Sequence, residues 1–203
     1  QALAAGLRHF LREVDTVGKR LLVGISGASG APLAVALLRE LQKIPQVETH
    51  VILSHCGELT LAQEAGMTRE DIGAMATRLY DNQDYGAAPA SGSFQTMGMV
   101  IVPCSMKTLA GVVSGYCDTL LLRAADVTWK ERRRLMLVPR ECPFSTLHLR
   151  NLATASELGA TIIPPVPAYY NHPATIEDVN GQIARKILSQ FGLGEVPEWR
   201  GMP

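Results

Sequence analysis

Arg20-Leu-Leu-Val-Gly-Ile-Ser-Gly-Ala-Ser-Gly-Ala-Pro32 is the stretch that decides the fold. Its first half, 21–25, is an unbroken apolar run of the kind that forms a strand buried on both faces. Gly24, Gly27 and Gly30 then surround Ser26, Ala28 and Ser29, and beyond them Leu33, Leu37, Leu38 and Leu41 recur at helical spacing. Strand, small-residue turn and helix together bring backbone N–H groups and a helix N-terminus to an anion. The same glycines also suit a tight turn that serves backbone angles alone. The spacing narrows the anion. The glycines read G-x-x-G-x-x-G rather than G-x-G-x-x-G, and the second strand, 49–53, ends in Ser54-His55 rather than an acidic residue. No G-x-x-x-x-G-K-[ST] is present either. A mononucleotide such as FMN fits this pattern better than NAD or ATP.

The chain of 203 residues has the volume of one ordinary domain. Lysine plus arginine and aspartate plus glutamate both number 19, so the net charge is zero and the basic excess of a nucleic-acid binder is missing. No apolar run is long enough for a membrane span, and no secretory segment stands out, so a soluble, cytoplasmic protein is expected. Cys56, Cys104, Cys117 and Cys142 show no metal or disulfide spacing. A hydrophobic content of 47% points to buried subunit interfaces.

Residues 1–19 place Leu3, Leu7, Phe10, Leu11 and Val14 on one helical face and read as an amphipathic extension. The start at Gln1 rather than Met leads us to expect further sequence upstream. The domain proper is expected over 20–193, with a Gly/Pro tail carrying Trp199 over 194–203. After strand 49–53, helices are predicted at 58–64 and 68–80, the second with Thr68 as N-cap and Asp71 three residues on. Residues 81–97 are loop in composition, and a loop of that length is usually functional. Strand 99–103, a helix opened by 104–108, a long helix over 117–133 and strand 135–139 follow. Helix 146–158, strand 161–163 and helix 175–191 close the domain. This alternation predicts a parallel sheet covered on both faces, with ligands beyond the carboxyl ends of the strands. Ser26 and Ser29, Ser54, Ser105 to Thr108, Arg140 and Glu141, and Tyr169 and Tyr170 all follow strands, which makes one edge an anion pocket for an aromatic cofactor.

Several longer motifs are recognisable. They are Gly24-Ile-Ser-Gly-Ala-Ser-Gly-Ala31, Pro89-Ala-Ser-Gly-Ser93, Val102-Pro-Cys-Ser-Met-Lys-Thr-Leu-Ala110, Arg123-Ala-Ala-Asp-Val127, Lys130-Glu-Arg-Arg133, Leu137-Val-Pro-Arg-Glu141 and Pro167-Ala-Tyr-Tyr-Asn-His-Pro173. In this order, over about 20–193, they closely resemble the UbiX-like flavin prenyltransferases, long called phenylacrylic or hydroxybenzoate decarboxylases. The resemblance implies a flavodoxin-like three-layer sandwich with a doubly wound parallel sheet, assembled as a homododecamer. It implies a metal-independent transferase that joins a dimethylallyl group from dimethylallyl phosphate to N5 and C6 of reduced FMN. The product, prenylated FMN, would serve a UbiD-type decarboxylase as partner.

Carried over by position, the resemblance gives FMN to Gly27, Ala28 and Ser29, to Ser54, to Ser105, Met106, Lys107 and Thr108, and to Arg140. The prenyl phosphate falls to Tyr170 and Arg185, with Arg123, Lys130 and Glu141 nearby. Ser29, Glu64 and Ser91 match polar positions near the reacting ring. Arg and Lys clamps and a phenol suit a departing phosphate, and Glu64 or Glu141 could take the proton released at C6. Trp199 is a candidate to cover the site from the tail.

Two departures stand out. Trp129 replaces a smaller apolar residue before Lys130, and the segment from Tyr170 to Arg185 is one residue short. One residue turns a helix by about 100°, which would bring Lys186 in place of Arg185; the expectation here is Arg185. The alternatives are an FMN-dependent cysteine decarboxylase of the related flavoprotein group and a non-catalytic FMN carrier. The first uses a catalytic His and an Asn-containing motif, and neither His55 nor His172 has that context. The second needs no clamp for another phosphate.

Overall fold

The computed structural model describes residues 19–194 and 201. The expected amphipathic extension, Lys19 aside, and the tail with Trp199 lie outside the described residues. Six strands form one parallel sheet: β1 (Arg20–Ile25), β2 (Glu48–Leu53), β3 (Arg78–Asp81), β4 (Gly98–Cys104), β5 (Arg134–Pro139) and β6 (Thr161–Ile162). Their order is β3-β2-β1-β4-β5-β6. Without the short edge strand β3, the remaining order corresponds to the flavodoxin-like 2-1-3-4-5. Seven α-helices among the described residues cover the two faces: α1 (Ala31–Gln42), α2 (His55–Ala65), α3 (Arg69–Met75), α4 (Met106–Ser114), α5 (Leu120–Lys130), α6 (Thr146–Glu157) and α7 (Ile176–Gln190).

The sequence pattern explains the layers. β1, β4 and β5 are buried almost end to end, as strands between two helical layers must be. One apolar cluster lies between the sheet and α1 and α7, with Leu37, Leu38, Leu41, Ile183 and Ile187. A second lies on the other face, with Leu109, Leu120, Leu121 and Ala155. Of the loop expected over 81–97, Asp81 ends β3 and residues 82–97 remain irregular apart from a short 3-10 turn at Ala88–Ala90.

Two predicted elements need correction. The helix expected over 68–80 ends at Met75, and Arg78–Asp81 forms the edge strand. Thr77 donates its N–H to Thr49 O at 2.8 Å and accepts from Thr49 N–H through Oγ1 at 3.0 Å, so the open edge of β2 wins over the helical pattern. The capping box itself forms as expected, with Thr68 and Asp71 exchanging hydrogen bonds. The long helix predicted over 117–133 covers only Leu120–Lys130. Asn82 accounts for its start, accepting Leu120 N–H on its carbonyl and Leu121 N–H on Oδ1.

Candidate functional site

The two halves of the sheet wind in opposite directions from β1 and β4. The turns after these strands therefore diverge and leave a crevice at the carboxyl edge, where ligands of such sheets bind. Gly27 sits where the turn after β1 meets α2. A Cβ there would stand 2.2 Å from Cys56 Cβ, so the close approach admits only glycine. Gly30, at φ 120°, turns the chain into α1. Gly27, Ala28 and Ser29 thus line one side of the crevice. Ser54, N-cap of α2, and Ser105, N-cap of α4, stand beside them with their hydroxyls on Gly57 N–H and Thr108 N–H. Ser105 and Thr108 also share a hydroxyl–hydroxyl bond of 3.0 Å, while Lys107 is exposed on the first turn of α4 beside half-buried Met106.

Glu64 belongs to this cluster, and it takes an unexpected place. Its Oε2 accepts Gly30 N–H at 2.8 Å and Ala31 N–H at 3.0 Å, so the N-terminus of α1 already holds a carboxylate from the last turn of α2. Desolvation is the largest single effect on this carboxyl and pushes it up. Hydrogen bonds from Gly30 N–H, the Ser29 side chain and Ala31 N–H, with the charge of Arg140, outweigh that and hold it below the ordinary range. An external anion is therefore left the turn amides upstream of Gly30 rather than the helix amides themselves. Arg140 and Glu141 follow β5 and are exposed; Arg140 N–H donates to Cys104 O at 3.2 Å and Glu141 Oε1 accepts Cys142 N–H at 3.0 Å. Cys104 is fully buried, its thiol pushed up to about 12 by desolvation, and offers no nucleophile.

Tyr170 and its cation form a second group. Tyr170, Asn171, Gln182 and Lys186 line a cavity of about 260 Å³ with Ile163, Pro164, Val166, Ala168 and Ile183, beside the end of β6. Arg185, the residue expected beside Tyr170, is not among those lining this cavity. Arg185 Nη1 lies 3.8 Å from Glu40 Oε1, on the α1 side of α7. Glu40 is near the far end of α1, about 13 Å of helix from Ala31 at 1.5 Å per residue. Burial of Ile183, Ala184, Ile187 and Leu188 fixes the rotation of α7 and sends the two neighbouring cations to opposite flanks.

Lys130 is not brought to the crevice within one chain. Lys130 ends α5 just before β5, and Arg140 follows β5; the six residues between the strand's ends span about 20 Å. Arg123 donates from Nε to Ala90 O and pairs through Nη1 with Asp126 at 2.7 Å. Lys130 pairs with Glu131, and Ser91 shares a hydrogen bond with Ser93. Sequence reasoning missed Arg133, which holds the 92–95 loop through Gly92 O at 2.6 Å and Phe94 O at 2.8 Å. Trp129 packs on the second apolar cluster with its indole N–H buried and unpaired.

Fold and crevice define a flavin-binding α/β protein, and the Flavoprotein family profile matches residues 10–190. Flavin prenyltransferase UbiX of Escherichia coli K12 is 47% identical over 188 residues, which cover 90% of this chain and 99% of that protein. The crystal structure of AnUbiX (PadA1) in complex with FMN and dimethylallyl pyrophosphate superposes with a TM-score of 0.88 at 42% identity, over 92% of this chain and 100% of that one. A dodecameric FMN-dependent UbiX-like decarboxylase from Escherichia coli O157:H7 superposes with a TM-score of 0.87 at 48% identity, over 90% of this chain and 100% of that one. The chain belongs to the UbiX-like flavin prenyltransferases.

Proposed function

We propose that this protein transfers a dimethylallyl group from a dimethylallyl phosphate to reduced FMN, and that its product serves a UbiD-type decarboxylase. The observation that carries this reading is the pairing of two separate phosphate-suited places: the hydroxyl- and amide-lined crevice at β1 and β4, and the Tyr170–Lys186 cavity. A flavin carrier needs only the first. The crevice fits FMN in kind, because Gly27 lets the backbone approach closely and Ser54, Ser105 and Thr108 offer hydroxyls beside exposed Lys107 and Arg140.

When bound, reduced FMN supplies the nucleophilic N5 and C6 positions that accept the five-carbon group. The chain's own residues supply the rest. Lys186 offers positive charge and Tyr170 a phenolic donor to the phosphate that leaves, both stronger in a cavity whose other walls are largely apolar. Glu64 is ionised at neutral pH and hydrogen-bonded to the Ser29 side chain, so a proton reaching Ser29 Oγ can pass to the carboxylate. Glu141, exposed at the end of β5, is a second acceptor on the same edge.

Ser91, Arg123 and Lys130 take part, on this reading, from neighbouring copies. The distance of Lys130 from the crevice in one chain and the dodecameric relative support an assembly whose sites are completed between subunits. Exposed Leu147 (63%), Leu149 (54%) and Tyr169 (77%) offer apolar surface for such contacts. Among the described residues no helix is long and apolar enough to cross a membrane, and all four cysteines are free; a cytoplasmic setting is part of the proposal. The test is functional. Flavin extracted after anaerobic reaction of the protein with reduced FMN and donor should activate a cofactor-free UbiD-type decarboxylase. Failure to activate it, with untreated FMN as the baseline, would overturn the reading.

A further inference from the structure

We infer that Ser26, buried behind the residues proposed to meet FMN, is the positioning residue that holds the FMN crevice at its working width. This rests on the proposed binding of FMN between the turns after β1 and β4. Paired residues of β1 and β4 run from Leu21–Gly98 to Gly24–Ile101 and then stop. Two residues on, Pro103 has no N–H to give, and the register of β4 against β5 shifts between Ile101 and Cys104. The two strands would be free to splay just where their turns must face a ligand.

Ser26 closes that gap with its side chain. It is 2% exposed. Its Oγ donates to Pro103 O at 2.7 Å and accepts Ser105 N–H at 2.8 Å, while its own N–H reaches Pro103 O at 3.3 Å. One hydroxyl thus grips the residues on both sides of Cys104 and sets the bend from β4 into α4. That bend aims Ser105 Oγ at Thr108. The Cys104 carbonyl held between the two contacts accepts Arg140 N–H at 3.2 Å. The turn after β1 and the start of α4 are therefore tied through one buried hydroxyl, with Arg140 held to the same bend by the Cys104 carbonyl. A hydroxyl is needed because the position must donate and accept at once, which alanine cannot do and threonine can.

The test compares FMN with riboflavin, which lacks the phosphate, by fluorescence titration of the parent, Ser26→Ala and Ser26→Thr, alongside the melting temperature of each flavin-free protein. Ser26→Ala should lose FMN affinity on the order of tenfold, because Ser105 N–H loses its acceptor and Pro103 O keeps only the longer bond from the N–H of residue 26. Riboflavin affinity should change by less than about threefold, because the loosened amides and hydroxyls serve the phosphate, and Ser26→Thr should restore FMN binding to within about threefold of the parent. If Ser26→Ala does not fold, Ser26→Cys, with similar volume and weaker hydrogen bonding, is read in the same way. Unchanged FMN affinity in a folded variant, or parallel losses for FMN and riboflavin, would reduce Ser26 to a core residue. A parent that binds no FMN would instead overturn the functional reading on which the inference rests.

Discussion

Replacing Lys186 by alanine should weaken prenyl-donor binding and leave FMN affinity unchanged, whereas Arg185→Ala should change neither affinity. The two residues are neighbours on α7, yet Lys186 shares its cavity with Tyr170 and Arg185 faces Glu40. A charge-assisted contact to phosphate is worth about 1.5–3 kcal/mol, or roughly 10- to 150-fold in donor affinity. Arg185 is 43% exposed and its contact with Glu40 is 3.8 Å long. Such a surface pair contributes at most about 1 kcal/mol to stability and nothing to the donor. Lys186→Arg should retain most of the affinity, since a guanidinium also reaches phosphate. The assay is anaerobic turnover with reduced FMN at varied donor concentration, with FMN affinity titrated separately. A large rise in donor KM for Arg185→Ala, with Lys186→Ala near the parent, would refute the assignment drawn from the rotation of α7.

Three further outcomes follow from the geometry. Gly27→Ala should fail to bind FMN normally and lose about 1–3 kcal/mol of stability by overpacking against Cys56, read by denaturant unfolding and flavin titration. Glu64 caps α1 with a carboxyl held below its ordinary range, so its contribution is present above the usual carboxylate pKa and lost as pH falls through the lowered one. Glu64→Gln should accordingly flatten the acid side of the melting-temperature profile and slow turnover; an unchanged profile would remove Glu64 from that role. Glu141→Gln should keep FMN bound and slow single turnover, and a parental rate would leave Glu141 structural.

The buried strands and the glycine turn were legible because their signals are local: apolar runs, a 3.6-residue period and small residues at fixed spacing. β3 was not, because residues 77–80 prolong the pattern of α3 and only the open edge of β2 selects a strand. Glu64 at the N-terminus of α1 was equally invisible as a cap, since it lies 34 residues from Gly30. The rotation of α7 could have been read. Ile183, Ala184, Ile187 and Leu188 form the apolar stripe of α7, and that stripe already assigns the two cations to opposite flanks. Ser91, Arg123 and Lys130 answered to motif position alone.

The most direct test of the central claim is the mass of the flavin itself. The protein, reduced FMN and either dimethylallyl monophosphate or diphosphate are incubated without oxygen, and the released flavin is weighed by mass spectrometry. FMN enlarged by one five-carbon prenyl unit, formed with at least one donor and absent without protein, is the result predicted here. Unmodified FMN with both donors, from protein that demonstrably binds FMN, would contradict it.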